Sequence, residues 1–283
     1  MSEGLGDSTL TTYTASDGDN LAVQDWPLPD EAVMRGSVVL VHGLGEHAGR
    51  YDALAMRLND WGFAVRGYDQ YGHGESSGVR GGLPTSNRLL EDLVDVIENT
   101  RQRIGDGLPI VVLGHSMGGL VAASLVAQRA AAIQGLVLSS PALGTRLNPV
   151  QKLLLATLPR IAPNLGVSNG LDPQALSRDP QVAAAYRADR LVHDRISPRL
   201  AVFIADTGRD VIRRAAEWSV PTLLLYAGAD RLVDPAASAA FARSAPRALV
   251  TARCFDDFYH EIFNEPQSDA VFESLRRWLD ERF

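Results

Sequence analysis

Short apolar runs alternate with longer amphipathic stretches along most of the chain. The runs are rich in Val, Leu and Ile, which is typical of strands that are covered on both faces. They occur at residues 37–42, 63–68, 110–113, 134–140, 221–226 and 248–255. Patterns with helical spacing lie between or after them, at 51–61, 87–103, 120–132, 236–244 and 269–282. This alternation predicts βαβ units, hence a mostly parallel central sheet with helices on both faces. Residues 11–26 add two further strands around a polar turn.

The alternation of strands and helices is interrupted once, at residues 141–218. This stretch contains no clear strand pattern, only helical spacing punctuated by proline and glycine. Asp179 and Ser197 are each followed by proline, which fits an N-cap residue and the first position of a helix. We therefore predict a core made of residues 1–140 and 219–283, with an inserted helical cap between the two parts.

One predicted strand runs into its helix through Gly114-His115-Ser116-Met117-Gly118, a G-x-S-x-G sequence. A serine on so tight a turn has strained backbone angles, so its neighbours must lack bulk. The turn directs the Ser116 hydroxyl above the sheet, and the N–H of Met117 points to the same space. An ordinary glycine-rich turn is the alternative. The apolar strand before the motif and the small-residue helix after it favour a nucleophile.

A serine nucleophile needs a base within hydrogen-bond reach, and the base needs an acid that orients it. In folds of this kind the chain order is Ser, then Asp or Glu, then His. Of the six histidines only His260 follows a late strand, so we predict it as the base and assign structural roles to the others. Asp230 comes soonest after its strand and is the predicted acid, with Asp234 as the alternative.

The oxyanion that develops during acyl transfer needs two hydrogen-bond donors. The N–H of Met117 is one candidate. In folds with a nucleophile on such a turn, the second donor comes from a loop after an earlier strand, here the strand at residues 37–42. That loop reads Gly43-Leu44-Gly45, and two glycines around one residue favour close backbone approach. We therefore predict the N–H of Leu44 as the second donor.

Composition excludes several classes of protein. The 283 residues carry a formal net charge of −7 without a basic run, which argues against nucleic acid as a partner. Cys254 is the only cysteine, so no internal disulfide and no cysteine-based metal site is expected. We predict neither a metal nor an organic cofactor. The N-terminus lacks the pattern of a signal peptide and no apolar run approaches the length of a membrane span, which predicts a cytoplasmic protein.

Four motifs are more specific than G-x-S-x-G alone. They are His42-Gly-x-Gly-Glu-His-x-x-Arg-Tyr51, Asp69-x-x-Gly-His-Gly-x-Ser-x-Gly78, Gly114-His-Ser-Met-Gly-Gly119 and Tyr259-His-Glu-x-Phe-Asn-Glu-Pro266. Together they resemble the monoacylglycerol lipase family of α/β-hydrolases, its bacterial members in particular. The resemblance covers nearly the whole chain and implies the α/β-hydrolase fold. The catalytic and oxyanion residues that it implies are Ser116, Asp230, His260, Leu44 and Met117.

The resemblance also places Glu46 and Arg50 near the glycerol end of the substrate site. The residues themselves equally allow a structural role, in which Glu46 holds its loop and Arg50 pairs with an acid. Some family members carry a second histidine where this chain has Phe263.

The function implied by the resemblance is hydrolysis of carboxylic esters, monoacylglycerols above all, through an acyl-enzyme on Ser116. A less selective carboxylesterase or a lysophospholipase is the alternative. Epoxide hydrolases and dehalogenases are disfavoured because they use Asp in place of Ser116. A catalytically dead relative used for binding would show a broken triad, and none of the three residues is missing.

Three consecutive leucines, Leu153 to Leu155, open the predicted cap. Each step along a helix turns by about 100°, so at least one of the three points away from the core. We predict that this helix lines the acyl entrance. It would then make transient contact with membranes or lipid aggregates and give the protein a partly peripheral location.

Overall fold

The computed structural model describes residues 8–144, 157–158 and 160–283. Most of the strands form one eight-stranded sheet, and two short strands pair with each other apart from it. The strands are β1 (Thr9–Thr14), β2 (Asn20–Trp26), β3 (Gly36–Val41), β4 (Phe63–Tyr68), β5 (Ile110–His115), β6 (Gly135–Ser139), β7 (Val167–Ser168), β8 (Arg195–Ile196), β9 (Thr222–Ala227) and β10 (Val250–Phe255). The α-helices whose bounds lie within the described residues are α1 (Asp52–Asp60), α2 (Arg88–Ile104), α3 (Ser116–Gln128), α4 (Pro180–Ala188), α5 (Pro198–Arg214), α6 (Pro235–Ser244) and α7 (Asp269–Asp280).

The order of strands in the large sheet is β1-β2-β4-β3-β5-β6-β9-β10. β2 is antiparallel to β1 and to β4, and every other neighbouring pair is parallel. The predicted mostly parallel sheet with helices is thus confirmed, and so is the hairpin expected in residues 11–26. Parallel strands end at a common edge, where ligands bind in folds of this type.

Both faces of the central strands are buried, which explains their unbroken apolar runs. In β3, Val39 and Val41 belong to one apolar cluster, whereas Val38 and Leu40 belong to another on the opposite face. The first cluster includes side chains of α2, α3, α5 and α6, and the second those of α1 and α7. Successive strand residues point to opposite faces, so each central strand must be apolar throughout.

One helix lies several residues earlier in the chain than the sequence predicts. The pattern placed the third helix at 120–132, but α3 begins directly at Ser116 and ends at Gln128. Arg129 then takes a left-handed conformation, with φ of 54°. A left-handed residue stops the helix and satisfies its last carbonyls. Apolar spacing detects neither event, because both are backbone features.

The described part of the insertion lies between β6 and β9. Two of its helices, α4 and α5, begin where the sequence predicts them. The Asp179 carboxylate accepts a hydrogen bond from the N–H of Gln181, and the Ser197 hydroxyl accepts one from Leu200. The expectation that this region contains no strand is wrong at one place, since β7 pairs with β8 antiparallel. Strands of two residues carry no periodic pattern, so the sequence gives no sign of them.

One helix of the insertion is part of the main apolar core. α5 packs against α3 and α6, and Leu200 and Val211 on it are buried in the cluster on that face of the sheet. The division into core and cap at residues 141 and 218 stays a prediction. Leu153 to Leu155 lie outside the described residues. Among the described helices none is long and apolar enough to cross a membrane.

The N-cap of α4 can be tested by substitution. Asp179→Ala removes the acceptor for the N–H of Gln181, and loss of such a cap costs about 1 kcal/mol. We expect the free energy of unfolding in urea to fall by about that amount. Asp179→Asn is the matched control, because an asparagine side chain caps equally well. A fall of the same size in the Asn variant would contradict the capping role.

Candidate active site

Ser116 lies at the junction of β5 and α3 in a strained conformation. Its φ is 53°, in the left-handed region that side chains other than glycine rarely adopt. A Cβ on Gly118 would lie 2.1 Å from the carbonyl oxygen of Val41, and one on Gly114 would lie 2.5 Å from the oxygen of Gly118. Glycine alone fits both positions. The turn therefore packs against β3, and Ser116 lines a large cavity at the carboxyl edge of the sheet.

The loops after the neighbouring strands β9 and β10 bring Asp230 and His260 together. Asp230 Oδ2 lies 2.7 Å from His260 Nδ1, and both side chains are almost fully buried. The other carboxylate oxygen accepts hydrogen bonds from the N–H groups of Leu232 and Val233, at 2.8 and 3.0 Å. An ionised Asp230 only accepts hydrogen bonds, so the proton sits on Nδ1 of the imidazole. Nε2 is then the basic nitrogen of His260, which lines the same cavity as Ser116.

The contact between Asp230 and His260 shifts the pKa of each residue. Burial disfavours the charged imidazole, but attraction to Asp230, the hydrogen bond with it, and the nearby Glu261 and Glu46 carboxylates together outweigh this and raise the pKa of His260 above its ordinary value. Burial also opposes the charge on Asp230, yet His260 and the two backbone N–H groups lower the pKa of that carboxyl. The carboxylate therefore stabilises an imidazolium at this position.

The alternative acid, Asp234, has a different role in the structure. It is the N-cap of α6, where its carboxylate accepts a hydrogen bond from the N–H of Ala236 at 3.2 Å. The structure thus brings Asp230 into contact with His260.

The two predicted oxyanion residues lie close to the serine. Leu44 and Met117 line the cavity together with Ser116. A Cβ on Gly43 would lie 3.2 Å from the Cβ of Ser116, so the loop of residues 42–47 runs directly beside the serine. We call it the Leu44 loop. Met117 is in the first turn of α3, where backbone N–H groups have no partner within the helix.

A buried ionic cluster supports the Leu44 loop. Glu46 accepts hydrogen bonds from the N–H of Gly43 at 2.6 Å and from the Tyr51 hydroxyl at 2.8 Å. Arg50 pairs with Glu46 and makes two bonds to Glu261, at 2.8 and 3.0 Å. Burial disfavours the charge on Glu46, but Arg50, the nearby histidines and the Tyr51 hydrogen bond together overcome this and lower its pKa to about 2. Glu46 and Arg50 also line the cavity, so the structure shows structural contacts for both and leaves both in reach of a ligand.

The structure adds a residue to the site that sequence reasoning assigned a structural role. The ring of His115 lies against that of His260, with centroids 4.7 Å apart, and its Nδ1 is 3.1 Å from the Ser139 hydroxyl. Burial and the nearby His260 lower the pKa of His115 to about 4, so it is neutral at physiological pH. Its place within G-x-S-x-G gave no sign of this contact, which depends on the loop after β10.

The cavity has a volume of about 1170 Å³, including the space at its open mouth. Nine aliphatic side chains line the cavity, and the insertion supplies six of them. The nine are Leu44, Ala142, Leu171, Leu176, Ile196, Ala201, Ile204, Leu232 and Val233. Among the polar lining residues, Glu46, Arg50 and Glu261 form one cluster, and the ring of Tyr186 lies 4.9 Å from the Arg50 guanidinium. The described residues contain no group of His, Cys, Asp and Glu that could hold a metal ion.

The chain matches one protein family and several known proteins. The model of a family described as serine aminopeptidase, S33, matches residues 32–267. A monoacylglycerol lipase of Mycolicibacterium smegmatis is 36% identical over 251 residues, which cover 87% of this chain and 88% of that protein. The phospholipase YtpA of Bacillus subtilis is 33% identical over 86% of this chain and 95% of its own.

The chain belongs to the monoacylglycerol lipase-like family of α/β-hydrolases. The crystal structure of a monoacylglycerol lipase from Paleococcus ferrophilus superposes with a TM-score of 0.83 at 36% identity, over 93% of this chain and 99% of that one. The predicted fold class is confirmed by this match. As a member of the family the protein is a serine hydrolase that acts on carboxylic esters.

Substitution at the two aspartates separates their roles. Asp230→Asn should lower kcat on a nitrophenyl ester by roughly 10³- to 10⁴-fold, because the amide no longer favours the tautomer with the proton on Nδ1. Asp234→Asn keeps an N-cap and should stay within about threefold of the wild type in kcat. The measurement is steady-state hydrolysis by folded protein. Loss of activity in the Asp234 variant alone would reverse the assignment.

Proposed function

We propose that this protein is a monoacylglycerol lipase that uses Ser116, His260 and Asp230 as its catalytic triad. The observation that supports this most is the lining of the cavity beside Ser116, which combines many aliphatic side chains with the polar cluster of Glu46, Arg50 and Glu261. A monoacylglycerol has matching parts, a long acyl chain on one side of the ester bond and a small diol on the other. The similarity to two monoacylglycerol lipases points the same way.

In the first half of the reaction Ser116 attacks the ester carbonyl. Nε2 of His260 takes the serine proton, and Asp230 stabilises the imidazolium that forms. The N–H groups of Leu44 and Met117 donate hydrogen bonds to the oxyanion of the tetrahedral intermediate. The imidazolium then passes its proton to the departing glycerol oxygen, which leaves the fatty acid bound to Ser116 as an ester.

Water completes the cycle in the second half of the reaction. His260 takes a proton from the water as it attacks the acyl-enzyme, and the same two N–H groups hold the second oxyanion. Breakdown of this intermediate returns the proton to the serine oxygen and releases the fatty acid. No step calls for a cofactor.

The charges at the polar end of the cavity favour an uncharged head group. Arg50 already pairs with Glu46 and Glu261, so two carboxylates surround one guanidinium there. A phosphate placed among them would be repelled by the two carboxylates and would lose hydration next to a guanidinium that is already paired. The hydroxyls of glycerol meet no such penalty. Arg231, which is exposed on the same cavity, is the observation that keeps a lysophospholipase as the second candidate.

The described part of the insertion also supports contact with lipid aggregates. Ile161 is 80% exposed and Leu165 is 52% exposed, although both are large apolar residues. We propose that residues 141–218 act as a cap that touches membranes or micelles transiently, so that a cytoplasmic enzyme collects its substrate from a lipid surface.

Specificity constants on three substrates test the proposed function. We expect kcat/KM for monoolein to exceed that for lysophosphatidylcholine by at least about tenfold, which corresponds to about 1.4 kcal/mol. Monoolein should also exceed a nitrophenyl butyrate with its short chain. The oleoyl chain has fourteen more carbons than the butyryl chain, and each buried methylene contributes about 0.8 kcal/mol, so burial of eight of them would favour monoolein by about 6 kcal/mol.

Ser116→Ala serves as the control for all three substrates, because alanine fits the same turn. Its turnover should fall by at least about 10⁴-fold while the fold is retained. A higher kcat/KM for lysophosphatidylcholine than for monoolein would contradict the proposed substrate and indicate a lysophospholipase. Residual activity above about a hundredth of the wild type in folded Ser116→Ala would refute the triad itself.

The rate should depend on pH through His260, which must be neutral to accept the serine proton. Protonation below its pKa removes the base, so kcat/KM falls as the pH drops. Since Asp230, Glu261 and Glu46 raise the pKa of His260, the midpoint of this fall should lie above the ordinary value of about 6.5. The profile of kcat/KM between pH 5 and 9 measures it. A flat profile in protein that stays folded would exclude this base.

A further inference from the structure

Glu265 is a buried carboxylate that lies outside the cavity and behind His260. Its side chain is fully shielded from solvent, and it lies in the connection between β10 and the last helix. We call residues 256–264 of this connection the His260 loop. A carboxylate in such a place is stable only where several donors satisfy it.

The donors to Glu265 come from two separate parts of the chain. Oε1 accepts hydrogen bonds from the N–H of Tyr259 and from the N–H of Arg178, both at 3.0 Å. Oε2 accepts one from Nε of Arg178 at 2.5 Å. Tyr259 directly precedes His260, whereas Arg178 belongs to the insertion. One side chain thus joins the backbone beside His260 to the insertion.

A second contact holds the other side of the same histidine. The N–H of Glu261 donates to the carbonyl of Leu176 at 2.7 Å. Ser177, the residue between Leu176 and Arg178, donates its hydroxyl to the carbonyl of Asn264 at 2.8 Å. Residues 176–178 of the insertion therefore fix the backbone on both sides of His260. They hold Glu261 directly and Tyr259 through Glu265.

The His260 loop has little regular structure of its own to hold it in place. The described residues between β10 and a short 3₁₀ helix at Ile262–Asn264 contain neither strand nor helix. The imidazole itself makes one charge-assisted bond, to Asp230. A histidine on such a loop keeps its geometry only as well as its backbone does, and a displacement of about 1 Å can cost about 10²-fold in rate.

We propose that Glu265 is a positioning residue for His260, and that it uses Arg178 to make the insertion part of the support of the catalytic base. Glu265 does not line the cavity and does not touch the substrate. Its effect reaches the reaction through the N–H of Tyr259. This inference rests on the proposed role of His260 as the base, and it applies to any ester that the enzyme hydrolyses.

Removal of the carboxylate tests this role on nitrophenyl butyrate. Glu265→Ala should lower kcat by about 10- to 100-fold and leave KM within about twofold, because the base moves while the cavity does not. The contact with Asp230 should weaken as well, so the midpoint of the acid limb of kcat/KM should move to lower pH. A purely structural role would change neither the ratio of kcat to KM nor this midpoint.

Two further variants distinguish a displacement of His260 from a general loss of protein stability. Glu265→Gln keeps an acceptor for the N–H of Tyr259 and should restore kcat to within about threefold of the wild type. Asp92→Ala is the matched control, because Asp92 is an equally buried carboxylate that Arg88 holds with two bonds in another part of the fold. It should lower thermal stability and leave kcat and the acid limb unchanged.

The outcome of these measurements is decisive in each case. Folded Glu265→Ala with a wild-type kcat and acid limb would overturn the proposal, and so would an equal loss of kcat in Asp92→Ala. If Glu265→Ala does not fold, Glu265→Asp decides, because it keeps the charge and withdraws the acceptor by one methylene. An unchanged kcat in that variant would also overturn it. Failure of the triad would show instead as activity in Ser116→Ala, whatever the Glu265 variants do.

Discussion

The close contact between the turn at Ser116 and strand β3 is the constraint on which the rest of the site depends. Gly118 lies so near the carbonyl of Val41 that no side chain fits between them. This contact fixes the start of α3 and holds Ser116 at a positive φ. Because β3 also leads into the Leu44 loop, the same packing places both predicted oxyanion donors beside the serine. The backbone strain is maintained by the buried sheet around it.

Buried charged side chains support the two loops that lie beside Ser116. Arg50 joins Glu46, on the Leu44 loop, to Glu261, which follows His260 directly. Two loops that lie far apart in sequence are thus tied by one guanidinium. Such clusters gain little stability over an apolar core, but removal of one member leaves an unpaired buried charge. The cluster therefore keeps the two loops in one relative position.

The insertion takes part in the site from two directions. On one side residues 176–178 contact the His260 loop. On the other side the N–H of His193 donates to the carbonyl of Gly45 in the Leu44 loop, at 2.9 Å. The insertion also supplies most of the aliphatic side chains that line the cavity. The insertion lines much of the cavity and is attached to both the Leu44 loop and the His260 loop, so a change in the insertion reaches the residues beside Ser116 as well as the cavity wall.

The sequence by itself determined the sheet, most of the helices and the candidate residues Ser116, Asp230 and His260. These depend on local features, namely apolar period, glycine at a strained turn and polar residues directly after strands. It left Asp230 and Asp234 both open as the acid, because four residues along one loop differ only in where the folded backbone points them. The contacts of His115 with His260 and of Glu265 with Tyr259 and Arg178 were not visible at all. They join segments far apart in the chain, and only the packing of the insertion and the β10 loop onto the sheet brings such segments within hydrogen-bond distance.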